Sequence, residues 1–271
     1  MKLNRIVKKA LTALAILLLF GLAKSPFENG LSRKLQEAKL IAPIPAGGLG
    51  GLIGQSTFLA VLGGLRPLVG IYTTLHAFDA WSFKEWDTVE RDYAIITTLL
   101  PDDIDSWKTG AWHMAYNAAA SELYDESVPP TVRKRNGRAW IIKGVEYLKK
   151  GIEQNPRSAV LQHELGDIYR QQLEEPCLAA KHYKLSMEGD YPKSFAQRFY
   201  AYSLARCPGR EREAYDLLMR IYHDPEEKRT PSVIKRILEL EEKLNIPAAN
   251  RIPDPDPDLE ILRRYPNAKL D

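Results

Sequence analysis

The chain has 271 residues, of which 45% are hydrophobic and 27% charged, a composition that supplies a core and excludes a disordered polymer. Its 38 Lys+Arg against 35 Asp+Glu give a formal charge of +3. Lys2, Arg5, Lys8 and Lys9 all lie at the extreme N-terminus, so the basic excess belongs to one end and not to a face, which argues against nucleic acid as a partner. The two cysteines lack C-x-x-C spacing and are too few for a disulfide-built mini-scaffold or a cysteine metal site.

Residues 1–24, MKLNRIVKKALTALAILLLFGLAK, join a basic start to an uncharged run from Ala10 to Ala23. That is the layout of a secretory signal peptide or a signal anchor. A helix over the run reaches only about 21 Å against a hydrocarbon core of roughly 30 Å, and Gly21-Leu22-Ala23 offers small residues for cleavage. Alternatively Lys8 and Lys9 snorkel, Ile6 and Val7 lengthen the span, and the segment stays as an anchor. No cysteine follows it, so lipid attachment there is not expected. The expected address is the periplasm or the periplasmic face of the cytoplasmic membrane.

Residues 25–67 read as a tether and apolar N-terminal cap, with a short amphipathic piece from Leu31 to Leu40 followed by APIPAGGLGGLIGQ. The glycines match no phosphate loop: G-x-x-x-x-G-K-[ST] is missing, and Ile53 stands where the third glycine of G-x-G-x-x-G belongs. Residues 57–79 are apolar, but Arg66 at their centre would cost about 3 kcal/mol in a bilayer. Burial against protein is therefore expected for this stretch.

Helical hairpins occupy residues 68–245. In the first, Ala77 takes a small position and Val89-x3-Tyr93 with Pro101 completes the pair. Trp107-x2-Gly110-Ala111-x2-Met114 opens the second, which Gly144-x3-Leu148 and Pro156 close. The interval from Pro101 to Pro156 exceeds a 34-residue period by about 20 residues, and the surplus is assigned to an insertion loop at 126–138, ESVPPTVRKRNGR. Pro129-Pro130 and Gly137 read there as helix breakers, leaving either a protruding loop with a basic tip or a plain solvated excursion. The clearest stretch is 159–192, AVLQHELGDIYRQQLEEPCLAAKHYKLSMEGDYP. It carries Gln162-x2-Leu165-Gly166-x2-Tyr169, then Ala179-x3-Tyr183, then Pro192. Gly166 admits a close second helix, Tyr169 fills the space between the two, and Pro192 ends the unit. A fourth unit places Ala201 and Ala214 at the small positions. Pro231 to Leu244 reads as a capping helix with Ile234, Ile237, Leu238 and Leu244 on one stripe. Residues 246–271 form a proline-rich tail, expected as a spacer or as a peptide laid along the body.

These motifs resemble the tetratricopeptide repeat superfamily over roughly residues 68–245. With the N-terminal segment, the chain looks like the exported or membrane-anchored repeat proteins of bacterial envelopes. The resemblance implies an all-α fold: a right-handed superhelical stack of about three to four hairpins behind a hydrophobic targeting helix. It implies a non-catalytic protein–protein interaction scaffold that holds a partner protein or peptide in a groove lined by the first helices. Projected from the repeat, the groove residues are Phe78 and Trp81, then Lys108, Trp112 and Tyr116, then His163, Asp167 and Arg170. This aromatic-to-charged gradient suits a peptide with one apolar and one polar end; otherwise residues 40–66 or the tail cover the aromatics. One subclass clamps a C-terminal carboxylate with lysine and asparagine; Lys108 fits that scheme, but Trp112 stands where the asparagine belongs. Two other readings are a structural subunit of a membrane assembly that uses residues 41–80 as a permanent interface, and an accessory factor or enzyme of envelope polymer synthesis or export.

Chemistry has little purchase elsewhere. His163-Glu164-Leu165-Gly166-Asp167 follows the zinc-protease helix for four residues, then places Asp167 where the second histidine is required. His76, His113, His182 and His223 are far apart, there is no G-x-S-x-G elbow, and neither cysteine has a catalytic histidine context. No enzyme, metal or cofactor is expected. Cys177 and Cys207 each fall at the turn between two helices, in adjacent repeats on one edge. Stacked helices lie about 10 Å apart, whereas a disulfide needs its Cα atoms within about 7 Å. A bond therefore requires the turns to lean together, beside Pro176 and Pro208. An oxidising compartment permits that bond, and two inert thiols are the alternative.

Overall fold

The computed structural model describes residues 66–224 and 230–252, with positions 7–9, 11–12, 15–16, 19–20 and 23 near the N-terminus. Those N-terminal positions are helical and exposed. The rest of the expected targeting segment, the expected tether and cap up to residue 65, and the tail from residue 253 lie outside the described residues. Among the described residues the chain is all-α, with a single isolated β-bridge between Ser158 and Asp190. No described helix is long and apolar enough to cross a membrane. The chain divides into two compact units, Met1–Pro156 and Arg157–Asp271.

In the first unit, α1 (Arg66–Ser82) and α2 (Trp86–Leu99) form a hairpin. The side of α1 that meets α2 is built of small residues, Gly70, Thr73, Ala77 and Ala80, all buried. Against them α2 sets Val89, Tyr93, Ile96 and Leu99. The helical period of 3.6 puts each set on one face. The large residues of α1 lie on its other side, so the expected burial of the stretch ending at residue 79 holds for only one face of this helix. Leu68, Ile71, Tyr72, Leu75 and Phe78 are exposed.

Next comes α3 (Ile104–Trp112), which runs through a π-helical stretch (His113–Ala118) into α4 (Ala119–Leu123) without leaving helical dihedrals. It packs against α5 (Pro130–Gln154). Gly137, Gly144 and Gly151 recur on α5 at seven-residue intervals, and a Cβ on each would press into the facing rod: Leu123 at 2.7 Å, Ala115 at 2.8 Å and Trp107 at 2.9 Å. The partners descend as the glycines ascend, so the two rods are antiparallel along one close seam. Buried polar ends beside it are matched by α2 and the turn that follows α2. The Tyr147 hydroxyl donates to the Tyr93 carbonyl at 2.9 Å, and the Trp107 indole and Asn155 amide both donate to the Pro101 carbonyl, each at 2.9 Å.

The expected insertion loop at 126–138 is corrected here. Pro130 is the first residue of α5 and residues 130–138 are helical. Proline lacks the N–H that a first-turn position leaves unpaired, and its φ is preset for a helix. Pro129 takes the extended conformation just before it, φ −59° and ψ 149°. The two prolines therefore start a helix, and Gly137 marks contact with α4, not a break. The extra length between Pro101 and Pro156 sits in a 25-residue α5.

In the second unit, α6 (Ala159–Gln171), α7 (Pro176–Glu188), α8 (Ala196–Arg206), α9 (Glu211–His223) and α10 (Pro231–Lys243) each pack on the next, and α8 also meets α10. Ser158 caps α6 by accepting from the Leu161 N–H at 3.3 Å, which satisfies one of the orphan donors of a helix start. The antiparallel sense of α6 and α7 shows in their pairing: Gly166 faces Tyr183, while Arg157 below α6 reaches Asp190 beyond α7. Ala179, Ala201 and Ala214 are fully buried. Leu204, Leu218, Ile221, Val233, Ile234, Ile237 and Leu240 form the core, with Leu238 and Leu244 only partly buried against it. The buried stripe of α10 thus runs through Val233 and Leu240 more than through the expected Leu238 and Leu244.

Cys177, in the first turn of α7, is bonded to Cys207 at the end of α8, with Cα atoms 4.9 Å apart. The two turns do lean together. The chain after α10 also differs from a plain spacer. Ile246 and Ile252 are buried in the same core, the Tyr215 hydroxyl donates to the Asn250 carbonyl at 3.3 Å, and the Ile252 N–H donates to Glu241 at 2.8 Å. The tail up to Ile252 is laid onto α9 and α10.

Candidate functional site

The projected groove residues fall into two sets, one in each unit. Phe78 and Trp81, on the last turns of α1, have ring centroids 5.4 Å apart. Trp81 reaches the His113 ring at 5.8 Å, and His113 is flanked by Tyr93 at 5.5 Å and Trp112 at 5.2 Å. A π-helical turn takes in one more residue than an α turn and re-aims the side chains around it. His113 begins that turn and goes inward, while its neighbour Trp112 stays 46% exposed and Phe78 is 65% exposed.

The Asn117 amide donates to His113 Nδ1 at 3.0 Å, so that nitrogen serves as an acceptor in a neutral ring. Burial pushes the His113 pKa down to about 4. Lys108 is tied to Asp105 at 2.8 Å and Tyr116 is half-buried. Beneath this set, His76 Nδ1 lies 2.5 Å from the buried Asp92 carboxylate and pins α1 to α2. The frame is built on helices: Phe78 stands against the half-buried Trp81, and Trp112 against the buried His113.

The second set lies on α6. His163, Asp167 and Arg170 are brought together, and Tyr183 from α7 joins them. The Tyr183 hydroxyl donates to Asp167 Oδ1 at 2.7 Å and accepts from Arg170 Nε at 2.9 Å. Arg170 also reaches Asp167 at 3.4 Å, and its guanidinium lies over the Phe199 ring at 4.9 Å. Burial raises the Tyr183 pKa, and the Asp167 carboxylate raises it further. For Arg170, burial pulls downward, but Tyr183 and Asp167 outweigh it and the guanidinium stays charged.

His163 is 2% exposed inside a cage of Tyr183, Phe195 and Phe199, with ring centroids at 5.0, 5.4 and 5.7 Å. Its Nδ1 is buried without a hydrogen-bond partner, and its Nε2 stands 3.6 Å from Asp167 Oδ2, beyond hydrogen-bonding distance. Burial pushes its pKa down to about 4, opposed by Asp167 and reinforced by Lys193 and Arg170. Lys193 pairs with Glu164 at 3.0 Å beside the Phe195 ring.

The two sets therefore differ in kind. Around α6 the charges are held by one another and by Tyr183, which fixes their geometry and leaves little free to meet a ligand. Around α1 and the π-helical stretch, large aromatic surface is open. The repeat projection did not single out His113, Tyr183, Phe195 or Phe199 as site residues. The Phe195-x3-Phe199 spacing and the Trp112-His113 neighbours were the signals available. The α1 stripe Leu68, Ile71, Tyr72 and Leu75 was also outside the projected set. No family model matches this chain, and no curated protein matches it.

Proposed function

We propose that this chain is a tetratricopeptide-like, non-catalytic scaffold of the bacterial envelope that binds a partner protein or peptide, held at the membrane or exported by its N-terminal segment. No cofactor or nucleic acid enters this reading. The observation that supports it best is the pair of exposed aromatics, Phe78 and Trp112, beside the half-buried Trp81 and the buried His113 and Tyr93. Rigid, partly exposed aromatic rings are the residues that dominate interface energy, because they bury large area with few rotatable bonds. The α6 network plays a supporting part: it fixes charged groups within the second unit.

The test is cross-linking in intact cells followed by affinity capture and mass spectrometry. Phe78→Ala with Trp112→Ala should reduce recovery of the dominant partner about ten-fold, a change of roughly 1.4 kcal/mol or more. Arg170→Ala should reduce it much less. Undiminished recovery with the aromatic variant rejects this assignment of the binding surface.

A further inference from the structure

We infer that the outer face of α1 is a membrane-docking face that lies on the lipid surface, and this rests on the envelope placement proposed above. Leu68, Ile71, Tyr72 and Leu75 are each between 58% and 70% exposed, and Phe78, assigned above to the partner surface, lies at the edge of the stripe they form. Their spacing places them on one side of the helix, opposite Gly70, Thr73, Ala77 and Ala80. Together they present on the order of 500 Å² of apolar surface, as large as the largest patch on many soluble monomers. Packing within the described residues does not account for this, because α2 meets only the small-residue side.

Three observations favour lipid as the occupant. First, no acidic residue, lysine or arginine occurs from Pro67 to Phe78. The charged residues of α1, Arg66 and Asp79, stand at the two ends of the stripe, so its length is uncharged, as a surface lying against lipid requires. Second, the area falls below the roughly 800 Å² per partner of a stable pair of proteins, so a second copy gains too little from this face alone. A surface already tethered at the membrane needs far less intrinsic affinity, since the tether supplies a high effective concentration. Third, the sequence leading into α1 has no charged residue or histidine from Ile41 to Leu65 and ends at Arg66, where α1 begins. An uncharged segment therefore precedes the stripe, separated from it by Arg66 and Pro67 alone. Tyr72 adds an aromatic ring with a polar tip, the type enriched where hydrocarbon meets water.

The full-length protein, mixed with vesicles of phosphatidylethanolamine and a minority of phosphatidylglycerol carrying a photoactivatable phospholipid, gives a direct readout by mass spectrometry. Label is expected on the Leu68–Phe78 peptide as well as on residues 1–23. Ile71→Glu with Leu75→Glu should lower labelling of that peptide about ten-fold and leave the label on residues 1–23 and the circular dichroism unchanged, since both side chains are exposed. Label on residues 1–23 with none on α1 overturns the docking face while leaving the envelope reading intact. Label on neither overturns both. A dimer in sedimentation that the double variant dissociates also overturns the inference, by assigning the face to a second copy.

Discussion

His163 and His113 are kept neutral by the rings around them. Each titrates near 4 when folded, against about 6.5 in an unfolded chain. Between those values the unfolded chain binds a proton that the folded one refuses, so stability is complete above pH 6.5 and falls as pH drops toward 4. The slope is about 1.4 kcal/mol per pH unit for each histidine. Urea titrations at pH 7 and pH 5 should show the wild type losing about 1 to 2 kcal/mol more than His163→Phe, and equal losses would count against a buried neutral imidazole. Gly144 offers a second residue-scale test. Helix propensity alone says Gly144→Ala should gain about 1 kcal/mol. Its Cβ, however, would stand 2.8 Å from the Ala115 Cβ and 3.0 Å from the Ala111 carbonyl oxygen, and overpacking of that kind costs about 1 to 3 kcal/mol. A lowered urea midpoint is the expected outcome. The packing roles of Gly166 and Ala179 were legible from the repeat spacing. The hydrogen bonds of the Tyr183 hydroxyl were not, because Arg170 and Asp167 meet it only after two helices pair.

At the scale of elements, the disulfide ties the start of α7 to the end of α8 across 30 residues of chain. Closing a loop of that length in the unfolded chain removes about 3 to 4 kcal/mol of conformational freedom. Cys177→Ser with Cys207→Ser should lower stability by about that amount, read by urea denaturation, and the wild type should migrate differently on a gel with and without reductant. Identical migration would mean free thiols. Element boundaries were the less legible part of the sequence. Pro129-Pro130 looked like the centre of a loop because proline breaks a helix from within. The same chemistry begins one when the ring sits at the first position, and only the contact of Gly137 with α4 shows which role applies. The π-helical stretch left no periodic trace either, since one extra residue in a turn is invisible until the rod has a neighbour to face.

At the scale of the molecule, each unit closes its own core, and the second extends further along the chain than the apparent start of the tail suggests. Ile246 and Ile252 are 6% exposed each, packed with Leu218, Ile237 and Leu240. A chain ending after Asn245 should therefore be about 3 to 6 kcal/mol less stable than one ending after Ile252, read from the urea midpoints of the second unit. Equal midpoints for the two truncations would show that these isoleucines add nothing.

Helical class, the order of the hairpins and the small residues between paired helices follow from the sequence by itself. They depend on the spacing of apolar and small side chains along a short stretch, and a helix converts that spacing into a face without help from the rest of the chain. Which charges are spent on one another around Tyr183, which side of α1 is covered by α2, and how far the tail belongs to the core were decided only by the tertiary structure. Each of these depends on groups distant in sequence arriving within a few ångströms, and the identity of the arriving neighbour is not written in any local pattern.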